Sequence, residues 1–396
     1  MISPRTIEIT EHSPAYVPGA DLPEGLMVRF HATHGKKVNI EPPSFITGGR
    51  WKLISLGWVG SMPLSPTLRI RLKPKVPLSN LFGMLEVAYR FRGIEFMKGL
   101  SDCKSLEEYY ERLAHVLALK VLDRWRKGLY REYVPRAERL PYVRGRLEVA
   151  STVRRPWAVA VDCSFEEHTP DIGHNQALLW ALHISTRSGQ CTDRTMPTVR
   201  KAYRNLQGSV SRLPISPIDC LRYRYNRLND DYRPLHALSR FLIELTGPDL
   251  ATGADPMLPF LVEMPRLYEL FVAEWLRSRL PEGISVKEQY RRPIGIKRHF
   301  TIDLLLVDSE SGAPIAVLDT KYKAHADSPD ADIFQVVAYA EAVGCRHAIL
   351  VSPAPRAGDA AHIIGRKKVQ RISFPLEGDL DQSGETFLGD LLAALN

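Results

Sequence analysis

No run of apolar residues in this chain approaches the length that crosses a bilayer, and the N-terminus, MISPRTIEITEHSPAYVPGA, lacks a basic start followed by an apolar stretch. The expectation is a soluble, cytoplasmic protein. Cysteine is scarce and scattered: Cys103, Cys163, Cys191, Cys220 and Cys345 are odd in number and form no CxxC pair, which excludes a zinc knuckle and a dithiol redox centre and leaves reduced structural thiols. There is no GxxxxGK[ST] phosphate loop, since Gly35-Lys36-Lys37 has the wrong spacing, so any nucleotide energy has to come from another chain. The 12 histidines contain no HExxH or paired-His spacing, and none is assigned to catalysis. Asp171, His174 and Asn175 read as helix-start structure. Trp51, Trp58, Trp125, Trp157 and Trp180 are too scattered for a base-stacking platform and read as core.

The remaining composition is that of an ordered globular protein of two or three domains: 396 residues, 44% hydrophobic and 25% charged. A formal charge of +8 tilts towards a polyanionic partner through counterion release. Arg154-Arg155, Arg291-Arg292 and the cluster from Arg366 to Arg371 are phosphate-contact candidates, although each is equally well explained as a solvated charged face.

Along the chain, residues 1–100 show short alternating segments (Thr6 to Thr10, Lys52 to Val59, Leu68 to Leu72) punctuated by Pro and Gly, which predicts a β-rich N-terminal domain. Residues 101–250 read as a mainly helical middle region. Its clearest helix opens on a capping box, Ser105 with Glu108, and runs to about Arg126. Helices are also expected at Asn175 to Thr186 and His236 to Leu245, with a strand-like piece at Arg144 to Val149. Gly247-Pro248 and Ala251-Thr252-Gly253-Ala254 mark the boundary to a third block, 251–396. There the order is helix (Arg266 to Arg279), three strands (Ile284 to Gln289, His299 to Val307, Ile315 to Lys321), helix (Ile333 to Val343) and strand (His347 to Val351), which predicts an α/β domain with a central mixed sheet in a multidomain α+β protein.

Two of those strands each carry a carboxylate inside an apolar run: Ile302-Asp303-Leu304-Leu305-Leu306-Val307 and Ile315-Ala316-Val317-Leu318-Asp319-Thr320-Lys321. An unpaired acid there is costly, and the two-residue period puts Asp319 and Lys321 on one face. Two acids and an ammonium suit a magnesium site, because a hard divalent cation takes a couple of carboxylates and fills the rest of its shell with water and phosphate oxygens. Such a metal polarises a scissile phosphate and activates water, while Lys321 orients that water or neutralises growing charge. The competing reading is a structural Asp-Lys pair near a sheet edge. Glu269, on the preceding helix, is a candidate third carboxylate, and Gln335 and Tyr339, four apart, share a helix face able to hold the active strand or touch DNA.

The ordered set Tyr268-Glu269-Leu270-Phe271-Val272, Ile302-Asp303, Asp319-Thr320-Lys321 and Gln335-Val336-Val337-Ala338-Tyr339 resembles the PD-(D/E)XK nuclease superfamily, with Ile302 where that superfamily often has Pro. The resemblance implies a restriction-endonuclease-like domain, with Asp303, Asp319 and Glu269 as metal-linked acids, Lys321 as the catalytic lysine and Gln335 as structural or DNA-contacting support. It implies Mg2+, with Mn2+ able to substitute. The match narrows: Phe260-Leu261-Val262-Glu263-Met264-Pro265-Arg266-Leu267-Tyr268-Glu269 and Leu318-Asp319-Thr320-Lys321-Tyr322-Lys323 are similar to the McrC family, the nuclease subunits of McrBC restriction systems. Gly57-Trp58-Val59-Gly60, Leu68-Arg69-Ile70-Arg71-Leu72-Lys73-Pro74-Lys75-Val76, Gly128-Leu129-Tyr130-Arg131-Glu132-Tyr133-Val134, Val143-Arg144-Gly145-Arg146-Leu147 and Asp171-Ile172-Gly173-His174-Asn175 extend the likeness over most of the chain.

The family resemblance implies a DNA endonuclease subunit of a GTP-dependent, modified-cytosine-directed complex. Its partners are double-stranded DNA and an AAA+ GTPase of the McrB type, whose hydrolysis it stimulates and which holds the GTP. Arg69, Arg71, Lys73 and Lys75 are the candidates for facing that partner. Two other readings stay open on sequence: an autonomous nuclease, and a non-enzymatic activator that keeps the nuclease fold as scaffold.

Overall fold

The computed structural model describes residues 5–65, 67–90, 103–155, 157–246, 259–295, 298–322, 329–353 and 361–395. The expected boundary at Gly247 to Ala254 lies outside the described residues. The chain divides into two compact units, one made of residues 1–109 together with 259–396 and the other of 110–258. The first expected block and the third therefore lie in one unit, and the middle block supplies most of the other.

In the first unit, β1 (Arg5–Thr10), β2 (Ala15–Pro18), α1 (Glu24–His34), β3 (Val38–Glu41), β4 (Arg50–Ser55), β5 (Trp58–Ser65) and β6 (Leu68–Lys73) precede α2 (Leu78–Ala88) and the start of α3 (Leu106–Lys127). The expected strand over Lys52 to Val59 is two strands, because Gly57 takes φ +80 and turns the chain between β4 and β5. β6 shows the alternation its sequence demands, with Leu68, Ile70 and Leu72 buried and Arg69 and Arg71 only half-buried. α3 opens as expected, with Ser105 Oγ accepting from the Glu108 amide at 3.1 Å.

The second unit contains the rest of α3, β7 (Glu132–Leu140), β8 (Arg146–Leu147), α4 (Val149–Val153), β9 (Val161–Thr169), α5 (Gly173–Arg187), α6 (Met196–Gln207) and α7 (Tyr232–Leu245). Helices dominate it, but β9 pairs antiparallel with β7 over nine positions, a long ribbon that sequence reading did not anticipate. α5 packs on α7, and Asn175 is fully committed there. Its Nδ2 donates to the carbonyls of Tyr130 and Pro170, and its Oδ1 accepts from Tyr232 OH at 2.7 Å. Asp171 accepts from Ser211 and Gln176, so its carboxylate is tied to the local turn. Trp157, expected in the core, is 80% exposed instead, in the segment between α4 and β9.

The chain then re-enters the first unit with β10 (Phe260–Glu263), α8 (Met264–Arg279), β11 (Ile284–Pro293), β12 (His299–Asp308), β13 (Pro314–Thr320), α9 (Pro329–Val343), β14 (His347–Ser352), β15 (His362–Ile364), β16 (Lys367–Ser373) and α10 (Leu380–Leu395). β10 adds antiparallel to β5, completing a four-stranded sheet β1-β6-β5-β10, and Leu261 joins the core of the N-terminal residues. The larger sheet has the order β11-β12-β13-β14-β16-β15. It is mixed as expected: β12 is antiparallel to β11 and β13, whereas β13, β14 and β16 run parallel. α9 lies against Ile302, Leu305, Val317 and Leu350 through Val336 and Ala340. α8 and α10 meet around Trp275, Phe374 and Phe387, where Gly384 leaves no room for a side chain beneath the indole.

The β5–β10 junction depends on Gly60, which takes φ +129 and where an added Cβ would sit 2.1 Å from the Phe260 carbonyl oxygen. Gly60→Ala should therefore cost roughly 1–3 kcal/mol or more through strain and displaced backbone. The check is the thermal unfolding midpoint, which should fall by several degrees, while Gly389→Ala, with open space around it, should leave it nearly unchanged.

Candidate active site

Asp319 ends the apolar run of β13 and is 1% exposed, between β12 and β14 in the sheet. Lys321, two residues on, brings its ammonium to 2.8 Å from Asp319 Oδ2 as an ion pair. That oxygen still lacks a hydrogen bond of acceptable geometry, so a buried carboxylate oxygen keeps unused ligating capacity. Asp303, half-buried on β12, is oriented by Thr320, whose amide and hydroxyl donate to its Oδ2 at 2.9 and 3.1 Å. The backbone amide of Lys321 is in turn held by the Val351 carbonyl at 2.8 Å.

On α9, Gln335 and Tyr339 form the expected same-face pair. Lys321 Nζ donates to Gln335 Oε1 at 3.1 Å and Gln335 Nε2 donates to Tyr339 OH at 2.8 Å, so the helix holds the lysine through a short relay. Asp332, one turn earlier, lies 3.8 Å from the same ammonium. Asp303, Asp319, Lys321, Gln335 and Tyr339 are thus joined in one neighbourhood.

Glu269 is buried on α8 and directed at this sheet, but its Oε1 is held at 2.6 Å by both Arg266 and Gln289. Among the described residues, no three His, Cys, Asp or Glu side chains gather closely enough to hold a metal by themselves. The expected convergence of three carboxylates is therefore a pair, Asp303 and Asp319, with Glu269 behind a hydrogen-bonded screen. Arg71 and Lys73 are engaged within the chain, Arg71 with Glu107 at 3.0 Å and both with Glu8. Lys75 is engaged as well, its backbone and its charge acting on the buried Glu11 carboxyl against the rise that burial gives it.

Burial pushes the Asp319 carboxyl up to about 7, with Asp303 reinforcing and Lys321 opposing the shift. Burial also raises Glu269, against Arg266 and with Asp303. For Lys321 burial works to lower the pKa, but Asp319, Asp332 and Asp303 outweigh it and the net direction is up, so the ammonium stays charged at neutral pH.

Two residues that sequence reading passed over frame this site. Tyr322 OH donates at 3.1 Å to Oε2 of Glu11, which is fully buried beyond the end of β1. The signal was present, since Glu11 is in phase with Ile7 and Ile9 on the apolar face of its strand. Gln289 stands opposite Asp303 in the β11–β12 register, with Glu288 facing Leu304 and Tyr290 facing Ile302. It takes φ +46, a strained value for a residue with a Cβ. Nothing in the local sequence marks it.

The fold and this site define a multidomain α+β protein with a buried acid pair and a charged lysine at the centre of a mixed sheet. Residues 55–353 match the family model described as McrBC 5-methylcytosine restriction system component, and the chain belongs to that family. This bears out the McrC-type recognition made from its motifs. A curated relative, the type IV methyl-directed restriction enzyme EcoKMcrBC of Escherichia coli (strain K12), is 22% identical over 264 residues, covering 63% of this chain and 74% of the relative. A solved structure, a half-complex from a tetradecameric assembly of Thermococcus gammatolerans McrB AAA+ hexamers with bound McrC, superposes at a TM-score of 0.54. At 16% identity it covers 98% of this chain and all of that one, so the two share a fold. No helix among the described residues is long and apolar enough to cross a membrane.

The raised Asp319 carboxyl gives a signed prediction. Between its unfolded value near 4 and its folded value of about 7, the native state holds a proton that the unfolded chain has released. Its contribution to stability therefore falls as pH rises through that window and is lowest above 7. In metal-free buffer, the unfolding midpoint of Asp319→Asn minus that of wild type should grow more positive from pH 5 to pH 8. A difference that is flat with pH would contradict the shift.

Proposed function

We propose that this chain is the DNA-cleaving subunit of a GTP-dependent, modified-cytosine-directed restriction complex, a Mg2+-dependent endodeoxyribonuclease of the PD-(D/E)XK type. The observation that carries the reading is the buried Oδ2 of Asp319, which pairs with the charged Lys321 without a hydrogen bond of good geometry while a second carboxylate, Asp303, pushes its pKa up. Magnesium is satisfied by one or two carboxylates with waters and substrate phosphate oxygens, so the pair Asp303 and Asp319 fits it without a third protein ligand. Mn2+ fits the same oxygen set. When bound, such an ion polarises the phosphodiester and lowers the pKa of a water.

The chain's own residues divide the remaining work. Thr320 fixes the rotamer of Asp303, and Gln335, braced by Tyr339, fixes Lys321. Lys321 serves as a donor, orienting the attacking water or stabilising the charge that grows on the phosphate. Glu269 acts from behind, setting Gln289 and through it the strand opposite Asp303.

The partner in this reading is an AAA+ GTPase of the McrB type, which holds the GTP and whose hydrolysis this chain stimulates. Family membership and the likeness to an McrC bound to McrB AAA+ hexamers support it. Among the four basic candidates, Arg69 is the better placed to face it, since Arg71 and Lys73 already have carboxylate partners and Lys75 acts on Glu11.

The test is cleavage of methylated and unmethylated plasmid with Mg2+, with and without the GTPase and GTP. Wild type should cut only the methylated plasmid and only with both partner and GTP. Asp303→Ala and Asp319→Ala should abolish cutting while sparing complex formation, and Lys321→Ala should slow it by roughly a hundredfold or more. Cutting without the partner would replace this reading by an autonomous nuclease, and wild-type rates in the Asp variants would overturn the site.

A further inference from the structure

The strand that carries Asp303 continues outward beyond the site as one arm of the β11–β12 hairpin. In that arm Tyr290 pairs with Ile302, Arg291 with Thr301, Arg292 with Phe300 and Pro293 with His299. The even-numbered positions turn to α9: Tyr290, Phe300 and Ile302 belong to its core, Phe300 meets the Tyr339 ring edge-on at 5.1 Å, and Arg292 Nε donates to the Ala342 carbonyl at 2.9 Å. By the period of two, Arg291, Thr301 and His299 lie on the opposite face. Gln289 lies on that side too, since its side chain reaches Glu269, and Asp303 is near enough to raise the same carboxyl.

On this face Arg291 and His299 are exposed, and neither has a carboxylate partner among the described residues. Arg90 with Glu274 and Arg5 with Asp21 show the pairing that an exposed arginine of this unit makes when a carboxylate is in reach. An unpaired guanidinium in line with the reacting acid is the donor geometry suited to a phosphate. Arg291 pairs with Thr301, two residues from Asp303 on the neighbouring strand, so it stands close beside the acid along the hairpin.

Resting on the nuclease reading above, we propose that the Asp303 face of the β11–β12 hairpin is the track on which the backbone of duplex DNA is laid, and that Arg291 contacts a phosphate close to the cut. Arg291 is a positioning residue: it binds the backbone and sets the register of the scissile bond without touching the reacting atoms. Arg292, its neighbour in sequence, faces α9 and takes no part.

The experiment is equilibrium binding of the full-length chain to a duplex oligonucleotide in EDTA, from about 50 to 200 mM salt, with plasmid cleavage in the complete mixture run alongside. Arg291→Ala should weaken binding about three- to tenfold and reduce the slope of log K against log salt by about 1. Arg291→Lys should keep the slope, and Arg292→Ala should keep both slope and affinity. A wild-type slope in Arg291→Ala, or an equal loss in Arg292→Ala, would overturn the assignment while leaving a cutting wild-type enzyme intact. A wild-type chain that neither binds nor cuts DNA would instead bring down the nuclease reading, and this inference with it.

Discussion

A carboxylate in the middle of an apolar sheet is the constraint around which this molecule is arranged. Asp319 could not be left there unmatched, because removing a charge from water costs several kcal/mol even after the surroundings relax. The fold answers with a lysine on the same face, a glutamine and a tyrosine that fix that lysine, and a threonine that turns Asp303 inward. The match stays incomplete, since Asp303 adds like charge and the Lys321 ammonium meets Asp319 Oδ2 without good hydrogen-bond geometry. A purely structural ion pair has no reason to gather two acids and leave one of them under-satisfied. A site that receives a cation from outside has such a reason.

The N-terminal residues belong to the same compact unit as this acid pair. β10 leads directly into α8, the helix of Glu269, and is a strand of the N-terminal sheet. At the far end of the Asp319 segment, Tyr322 is tied to Glu11, just beyond β1, which pairs with β6 and its basic residues. The N-terminal sheet and the strand that carries Asp319 are therefore linked through packed and hydrogen-bonded residues within one unit. On the proposed function, that link is a physical route between partner engagement and cleavage, with Glu11 as its buried joint.

Much of the site was legible in the sequence because its residues break local rules. Asp303 and Asp319 interrupt apolar strands, Lys321 follows at the same-face spacing, and Gln335 and Tyr339 are four apart on a helix. Each is a statement about neighbours a few residues away, and periodicity is local. What sequence could not place depends on distance along the chain. Gln289 matters because the register sets it opposite Asp303, and Glu11 matters because it meets Tyr322 more than three hundred residues later. Glu269 shows the intermediate case: its helix and its direction towards the sheet were readable, but not that Arg266 and Gln289 would occupy its carboxylate. The β7–β9 ribbon was missed for a related reason. Its alternation is half-exposed and rich in charge, so its apolar period is faint although the pairing is long.

The account turns on whether Asp303 and Asp319 hold a divalent cation, and the most direct measurement is metal binding itself. Mn2+ titrated into the full-length chain at pH 8 and followed by electron paramagnetic resonance should show one tight site in wild type. That site should be lost in Asp319→Asn and retained in Glu269→Gln, because the carboxylate of Glu269 is held by its own partners. Equal Mn2+ binding by wild type and Asp319→Asn would contradict the account, whatever the cleavage assay shows.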